Sequence, residues 1–314
     1  IEQYIYYIII KLMAHKKKFI NNVLTLMTAP IIVQIISIIL MPILTRIYSP
    51  DAFGTYNYFI TIIAFFSTFA TMGYHSAIIL PKSNFHSKCI LYLCFIFIVL
   101  ISILSIFLTS IFDNNISIYF DLSGLILIVP IIIFFEGIFE SLRVLNMRLN
   151  NFSRIAISKV IQAVSQKGYQ LPMGFLVAPT SENLIVGNLI ARITRNIIFF
   201  RSISALHCKK KVTLFNLIYI IKRYSKFPTY ELLGALLAKA PHVIATSLII
   251  YYFGKDTLGY YSLGYSVVTI PVVFFVSSIT EVMVVSLASA KHEGNYSNFI
   301  ENISERLFSL SIYP

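Results

Sequence analysis

Charge is scarce in this chain. Only 12% of its 314 residues are Asp, Glu, Lys or Arg, where a soluble domain carries about 25%. Hydrophobic residues make up 57%, and the mean hydropathy is +0.80. Such a chain has too little polar surface to cover a globule. That excludes a soluble enzyme, a DNA-binding domain and a disordered tail. Length alone would suggest about two soluble domains. The composition predicts instead a polytopic membrane protein, with about 20 apolar residues to each span.

Cysteine is scarce too. Cys89, Cys94 and Cys208 show no metal-ligand spacing, so neither a disulfide nor a zinc site is expected. Neither metal nor cofactor enters the reading. Acids are few, 13 against 25 Lys and Arg, which leaves a net charge of +12. In a soluble protein that excess would suggest nucleic acid. In a membrane chain it marks cytoplasmic loops, and no nucleic-acid partner is expected.

What the chain does have is long apolar runs. They predict helices at 20–45, 54–80, 89–111, 122–142, 156–178, 184–204, 229–252 and 260–288. Runs of this length exceed the roughly 9–11 residues of a barrel strand, so the fold class is all-α, a polytopic transmembrane bundle. Placing Lys16, Lys17 and Lys18 inside fixes the alternation. The inner loops then hold Lys82 and Lys88, Arg143 to Lys159, Arg201 to Lys226, and Lys291. The outer loops hold Arg46 and Lys255. Seventeen basic residues inside face two outside, as the positive-inside rule requires.

The expected organisation is a cytoplasmic N-terminal segment at 1–19, a first six-helix bundle at 20–204, a basic cytoplasmic linker at 205–228, and an incomplete second bundle at 229–314. A ninth span begins near Arg306 and is truncated. Ile1 and Met13 are both candidate first residues, because Met13 is followed by a basic cluster that resembles a natural start. The linker around Lys210 reads as a topology determinant, with anionic lipid contact as the alternative.

Polar residues recur at helical spacing within several spans. Asn57, Thr61, Ala64, Thr68, Thr71 and His75 share one face. Pro30, Gln34, Ser37, Met41 and Thr45 share another. Such faces suit close helix packing or a water-filled cavity. Asn188, Arg192, Arg195 and Asn196 share a face in span six. Glu231, Lys239, His242 and Thr246 share one in span seven. Lys167 sits in span five, opposite a Ser158, Gln162, Ser165, Tyr169 stripe and next to Gly168 and Pro172, which are candidate helix breakers. A charge at bilayer depth costs about 2.5–3.5 kcal/mol on insertion scales, so these cations point to a cationic cavity for an anion such as pyrophosphate. The alternative is that Arg192 and Arg195 snorkel to the inner surface. Glu136 and Glu140 are a proton-coupling pair or, with Arg143, part of a helix-end ion pair. Glu231, His75 and Glu281 are further coupling candidates, and His242 follows Pro241 at an expected kink.

The chain also repeats itself. Phe53-Gly54-x-Tyr56 returns as Leu258-Gly259-x-Tyr261, and Ala29-Pro30 as Ala240-Pro241. An even number of spans separates the copies, so they read as parallel repeats about an axis along the membrane normal. Before the first copy, Ser49, Pro50 and Asp51 form a helix start: a cap, a proline in the first turn, and an acid that complements the dipole.

These residues resemble a known family. The stretch Pro42-Ile43-Leu44-Thr45-Arg46-Ile47-Tyr48-Ser49-Pro50-Asp51-Ala52-Phe53-Gly54-Thr55-Tyr56, then Ala77 to Lys82, then Tyr252-Phe253-Gly254 with Gly259 to Tyr265 and Ile270-Pro271, resembles the Wzx-type polysaccharide and O-antigen flippases of the multidrug/oligosaccharidyl-lipid/polysaccharide exporter superfamily. The resemblance covers about residues 15–305. His75 departs from it where relatives often carry an acid, and the chain is shorter than the family's usual twelve spans or more.

The resemblance implies a non-enzymatic transporter of the bacterial inner membrane. It would carry an undecaprenyl-pyrophosphate-linked glycan across the bilayer by alternating access of two bundles, for O-antigen or capsule. A polysaccharide polymerase and a chain-length regulator are implied partners. The expected cavity cations are Arg192, Arg195 and Lys167, then Lys239 and Arg46, with coupling at Glu136, Glu140, Glu231 or His75. Competing readings are a cation-coupled drug antiporter, a membrane polysaccharide polymerase, and a truncated remnant that inserts without transporting.

Overall fold

The computed structural model describes residues 28–120, 128–199 and 211–293. The expectations for the N-terminal segment, the Lys209–Lys210 loop and the stub from Arg306 lie outside those residues. Among the described residues every regular element is helical. Helix α1 spans Thr28–Ile47 and α2 Pro50–Phe66. Two 3₁₀ turns, Ser67–Thr71 and Tyr74–Ile79, follow. Then come α3 (Asn84–Phe120), α4 (Ile128–Arg148), α5 (Phe152–Leu176) and α6 (Ser181–Ile197). A short α7 covers Leu214–Arg223. A π turn at Phe227–Glu231 leads into α8, Leu232–Glu293, which is two helices joined at a kink at Gly254.

Thr28–Ile47, Pro50–Thr71, Asn84–Ile111 and Phe227–Thr269 are long and apolar enough to cross a membrane. Their outer faces carry the large apolar side chains that a globule would hide. Ile35, Ile38 and Ile39 of α1, and Leu100, Ile103 and Phe107 of α3, are all at least half exposed. Hydrocarbon is the solvent that tolerates such faces. The protein is an all-α membrane bundle.

Local chemistry sets the helix ends. Ser49 accepts from the Ala52 amide at 3.3 Å, Pro50 opens α2 and Asp51 follows in its first turn. Just before the cap, buried Tyr48 donates its hydroxyl to the Gln170 carbonyl at 2.6 Å, which ties the end of α1 to α5.

Two features differ from the sequence reading. Span two does not run as one helix through residue 80. It tightens at Ser67, and Met72 and Gly73 turn with φ of 49° and 75°. The guanidinium of Arg148 gathers the carbonyls beyond that turn, donating to Ile79 at 3.0 Å and Pro81 at 2.6 Å. Second, the linker contains a helix, α7. Spans seven and eight are separate helices, as the sequence reading has them: Gly254, whose φ of 85° and ψ of 176° suit glycine alone, breaks the run, and the chain folds back there so that the His242 ring meets Tyr265. Pro172 lies inside α5 without ending it.

The main core joins the two 3₁₀ turns, α3 and α4, with Ile78, Cys89, Ile90, Cys94, Ile98, Ile132, Leu142 and Leu145 buried together. A smaller cluster of Leu44, Tyr48, Ala52, Phe53 and Leu184 joins α1, α2 and α6. The most extensive helix pairing is α2 against α8. That is the pairing of the two repeated motifs.

Candidate functional site

A cavity of about 460 Å³ opens between α2 and α8. On one side it is lined by Asn57, Thr61 and Ala64, the first half of the polar stripe seen in the sequence. On the other stand Lys239, His242 and Thr246, then Ser262, Tyr265, Ser266 and Thr269. Helical spacing puts each set on one face.

The polar groups are held in place. Asn57 donates from Nδ2 to the Ser262 hydroxyl at 2.8 Å and to the Phe53 carbonyl at 3.2 Å. Lys239 Nζ donates to the Ala64 carbonyl at 2.8 Å and to Thr68 Oγ1 at 2.9 Å. An ammonium has three donors, so one remains for an occupant of the cavity. The His242 ring stacks on Tyr265, centroids 4.9 Å apart, and Tyr265 stacks on Tyr261 at 5.8 Å. The wall therefore combines hydroxyls, an amide, flat rings and one fixed cation. That set suits a polyhydroxylated ligand carrying negative charge.

The two arginines stand elsewhere. Arg192 and Arg195, 7% and 4% exposed, both donate to Oε2 of Glu136 from α4. Arg192 Nε also donates to Asn188 Oδ1 at 2.6 Å, and Arg195 Nη1 to Gln162 Oε1 at 3.0 Å. The Arg195 guanidinium lies 3.6 Å from the centre of the Phe139 ring. Asn188 and Gln166 in turn donate to the Tyr56 hydroxyl at 3.1 and 2.9 Å. A buried charge is tolerated when it is paired and hydrogen-bonded, and here one carboxylate serves two guanidiniums. They are buried and do not line the cavity. They form a charged joint between α4, α5 and α6 that reaches α2 through Tyr56.

A second network binds the other acids. Arg143 pairs with Glu140 at 2.6 Å and with Glu281 at 3.2 Å, and Lys159 pairs with Glu281 at 3.1 Å. Glu281 of α8 is thereby fastened to α4 and α5. His75 Nδ1 lies 2.7 Å from Thr71 Oγ1, and Glu231 accepts from the Ser76 hydroxyl at 2.9 Å. Lys167, half-buried on α5, reaches Gln170 Oε1 at 3.5 Å. Arg46 is exposed in the last turn of α1. Of the expected cavity cations, Lys239 is the one that lines the cavity.

The residues missed in the sequence are Tyr56 and the Ser262, Tyr265, Ser266, Thr269 face. The signal was present, since these positions have the same three- and four-residue spacing. Their apolar neighbours and the tyrosine-rich surroundings obscured it.

Residues 43–311 match a family model described as polysaccharide biosynthesis protein. No curated protein and no solved structure matches the chain. The match spans both copies of the repeated motif and covers most of the chain, and the chain belongs to this polysaccharide biosynthesis protein family.

Proposed function

We propose that this member of the family works in polysaccharide export by moving a lipid-linked oligosaccharide, carried on undecaprenyl pyrophosphate, between the leaflets of the bacterial inner membrane. The observation that carries the reading is the polar cavity between α2 and α8. It is bounded by the two repeated motifs and set in a bundle whose outer surface is apolar. The glycan would meet the hydroxyls, Asn57 and the Tyr265 ring. The pyrophosphate would meet Lys239. The lipid tail would stay in hydrocarbon. Arg192, Arg195 and Glu136 act in this reading as the joint that holds the first bundle together rather than as ligands.

An N-terminus on the cytoplasmic side, with polymerase and chain-length regulator acting on the delivered unit, completes the proposal. A drug antiporter would need a carboxylate facing a cationic substrate. Among the described residues, those lining the cavity include a lysine and no Asp or Glu, which favours an anionic cargo. The test is complementation of a bacterial strain lacking its flippase. Surface polysaccharide should return, and the lipid-linked intermediate should stop accumulating on the inner leaflet. A chain that inserts at normal levels and restores neither would overturn the proposal.

A further inference from the structure

Helix α7 uses little of its surface to hold on to the protein. Ile220 is buried, while Leu214 and Phe215 are each 79% exposed and Ile218 is 52% exposed. Leu214, Ile218 and Ile221 fall on one side at helical spacing, and Lys222 and Arg223 close the helix. Its depth is set by its neighbour. The Tyr219 ring lies 6.0 Å from His86, and His86 is in the first turn of the membrane-crossing helix that begins at Asn84. α7 therefore lies at a membrane boundary, with its bare apolar side available to acyl chains.

Beside it is a cavity of about 590 Å³, separate from the one between α2 and α8. Among the described residues, Lys82, Ser83, His86, Arg223 and Tyr224 line it, and no carboxylate does. The walls are organised. Arg223 Nη1 donates to the Tyr219 hydroxyl at 2.5 Å, and its guanidinium lies between the rings of Tyr219 and Tyr224, 5.8 and 5.9 Å from their centres. The turn that bears Lys82 and Ser83 is fastened by Arg148, which donates to the Pro81 carbonyl and, at 3.1 Å, to Asn84 Oδ1.

We propose that this cavity holds the headgroup of an anionic phospholipid, its phosphate between Lys82 and Arg223 and its acyl chains along Leu214 and Ile218. Two cations in one lined cavity beside an apolar helix face match an amphiphile with a negative head. A soluble anion would use the cations and leave that apolar face bare. The site would anchor α7, and with it the connection between the first bundle and α8, to the leaflet. The proposal is independent of what the protein transports, so it can fail while the transport reading stands.

The test uses the purified full chain, delipidated in detergent and titrated with phosphatidylglycerol or with phosphatidylcholine of the same chains. Native mass spectrometry counts the bound lipids. Preferential retention of one phosphatidylglycerol is expected. Lys82→Gln with Arg223→Gln should lower that retention at least about tenfold, and Lys82→Arg with Arg223→Lys should keep it. Equal retention of the two lipids, or unchanged retention in the Gln pair, would overturn the proposal. Displacement of the lipid by millimolar inorganic phosphate would overturn it in favour of a free anion.

Discussion

Gly54 and Gly259 make the same contact in opposite directions. A Cβ on Gly54 would overlap the Lys255 carbonyl, and one on Gly259 would overlap the Pro50 carbonyl. Both glycines and both carbonyls are separated by 205 residues, as are Asn57 and Ser262, which hydrogen-bond to each other. Reciprocity of this kind is what a two-fold relation between two copies of one motif produces. The repeat is thus the crossing point of α2 and α8. Small residues are needed there because the backbones touch.

Substituting Ala at Gly54 or Gly259 should force the helices apart and cost about 1–3 kcal/mol through overpacking. Thermal unfolding in detergent will show the loss as a lowered Tm. Gly264, on the same stretch of α8, is the internal control. Nothing lies within 4 Å of a Cβ placed there, so Gly264→Ala should leave Tm unchanged or raise it.

Glu136→Gln should be among the most damaging changes outside the crossing. It would leave two buried guanidiniums, Arg192 and Arg195, facing a neutral amide. Breaking a buried pair from one side costs about 3–5 kcal/mol. Replacing all three residues by Met removes the charge problem and should recover much of the lost Tm. A triple variant as unstable as Glu136→Gln would show that the network does more than neutralise itself.

The helices, the cap at Ser49 and the apolar exterior were legible in the sequence because each depends on local pattern. The pairing of Glu136 with Arg192 and Arg195 was not, since those residues lie 56 and 59 positions apart. Charge scarcity drew attention to the arginines, but only packing shows that a carboxylate from α4 faces them. The same scarcity led to Lys239, which does line the cavity. Helix α7 was missed because Lys211 before it and Lys222 and Arg223 at its end dominate a segment read by charge. The break of span two at Met72 was hidden for a related reason. The apolar run continues through it, and the carbonyls beyond it are collected by Arg148, a residue distant in sequence.

Arg148→Ala should therefore loosen the 78–84 turn. The carbonyls of Ile79 and Pro81 would lose a charged donor, and an orphaned buried acceptor costs about 1–3 kcal/mol. Hydrogen exchange should rise in that peptide while α2 above Phe66 stays protected. Arg148→Lys should restore only part of the protection, because one ammonium cannot span the positions that the planar fork reaches from Ile79 to Asn84.

Lys239 offers the sharpest division between structure and function. Its side chain is exposed to the cavity and bonded to Ala64 and Thr68, so Lys239→Ala removes no core contact, only those exposed hydrogen bonds, and stability should fall by about 1 kcal/mol. Export should respond quite differently if the ammonium meets a pyrophosphate. In the complementation strain, surface polysaccharide should fall about tenfold or more, the order expected for loss of a charge-assisted hydrogen bond of roughly 1.5–3 kcal/mol. Lys239→Arg keeps the charge and should retain part of the activity, and Lys239→Glu, which places a carboxylate where the antiporter reading would want one, should abolish it. Full export by Lys239→Glu would instead show that charge at this wall is irrelevant to the cargo. The anion assignment of the cavity would then have to be abandoned, while the packing of α2 on α8 through Gly54 and Gly259 would be unaffected.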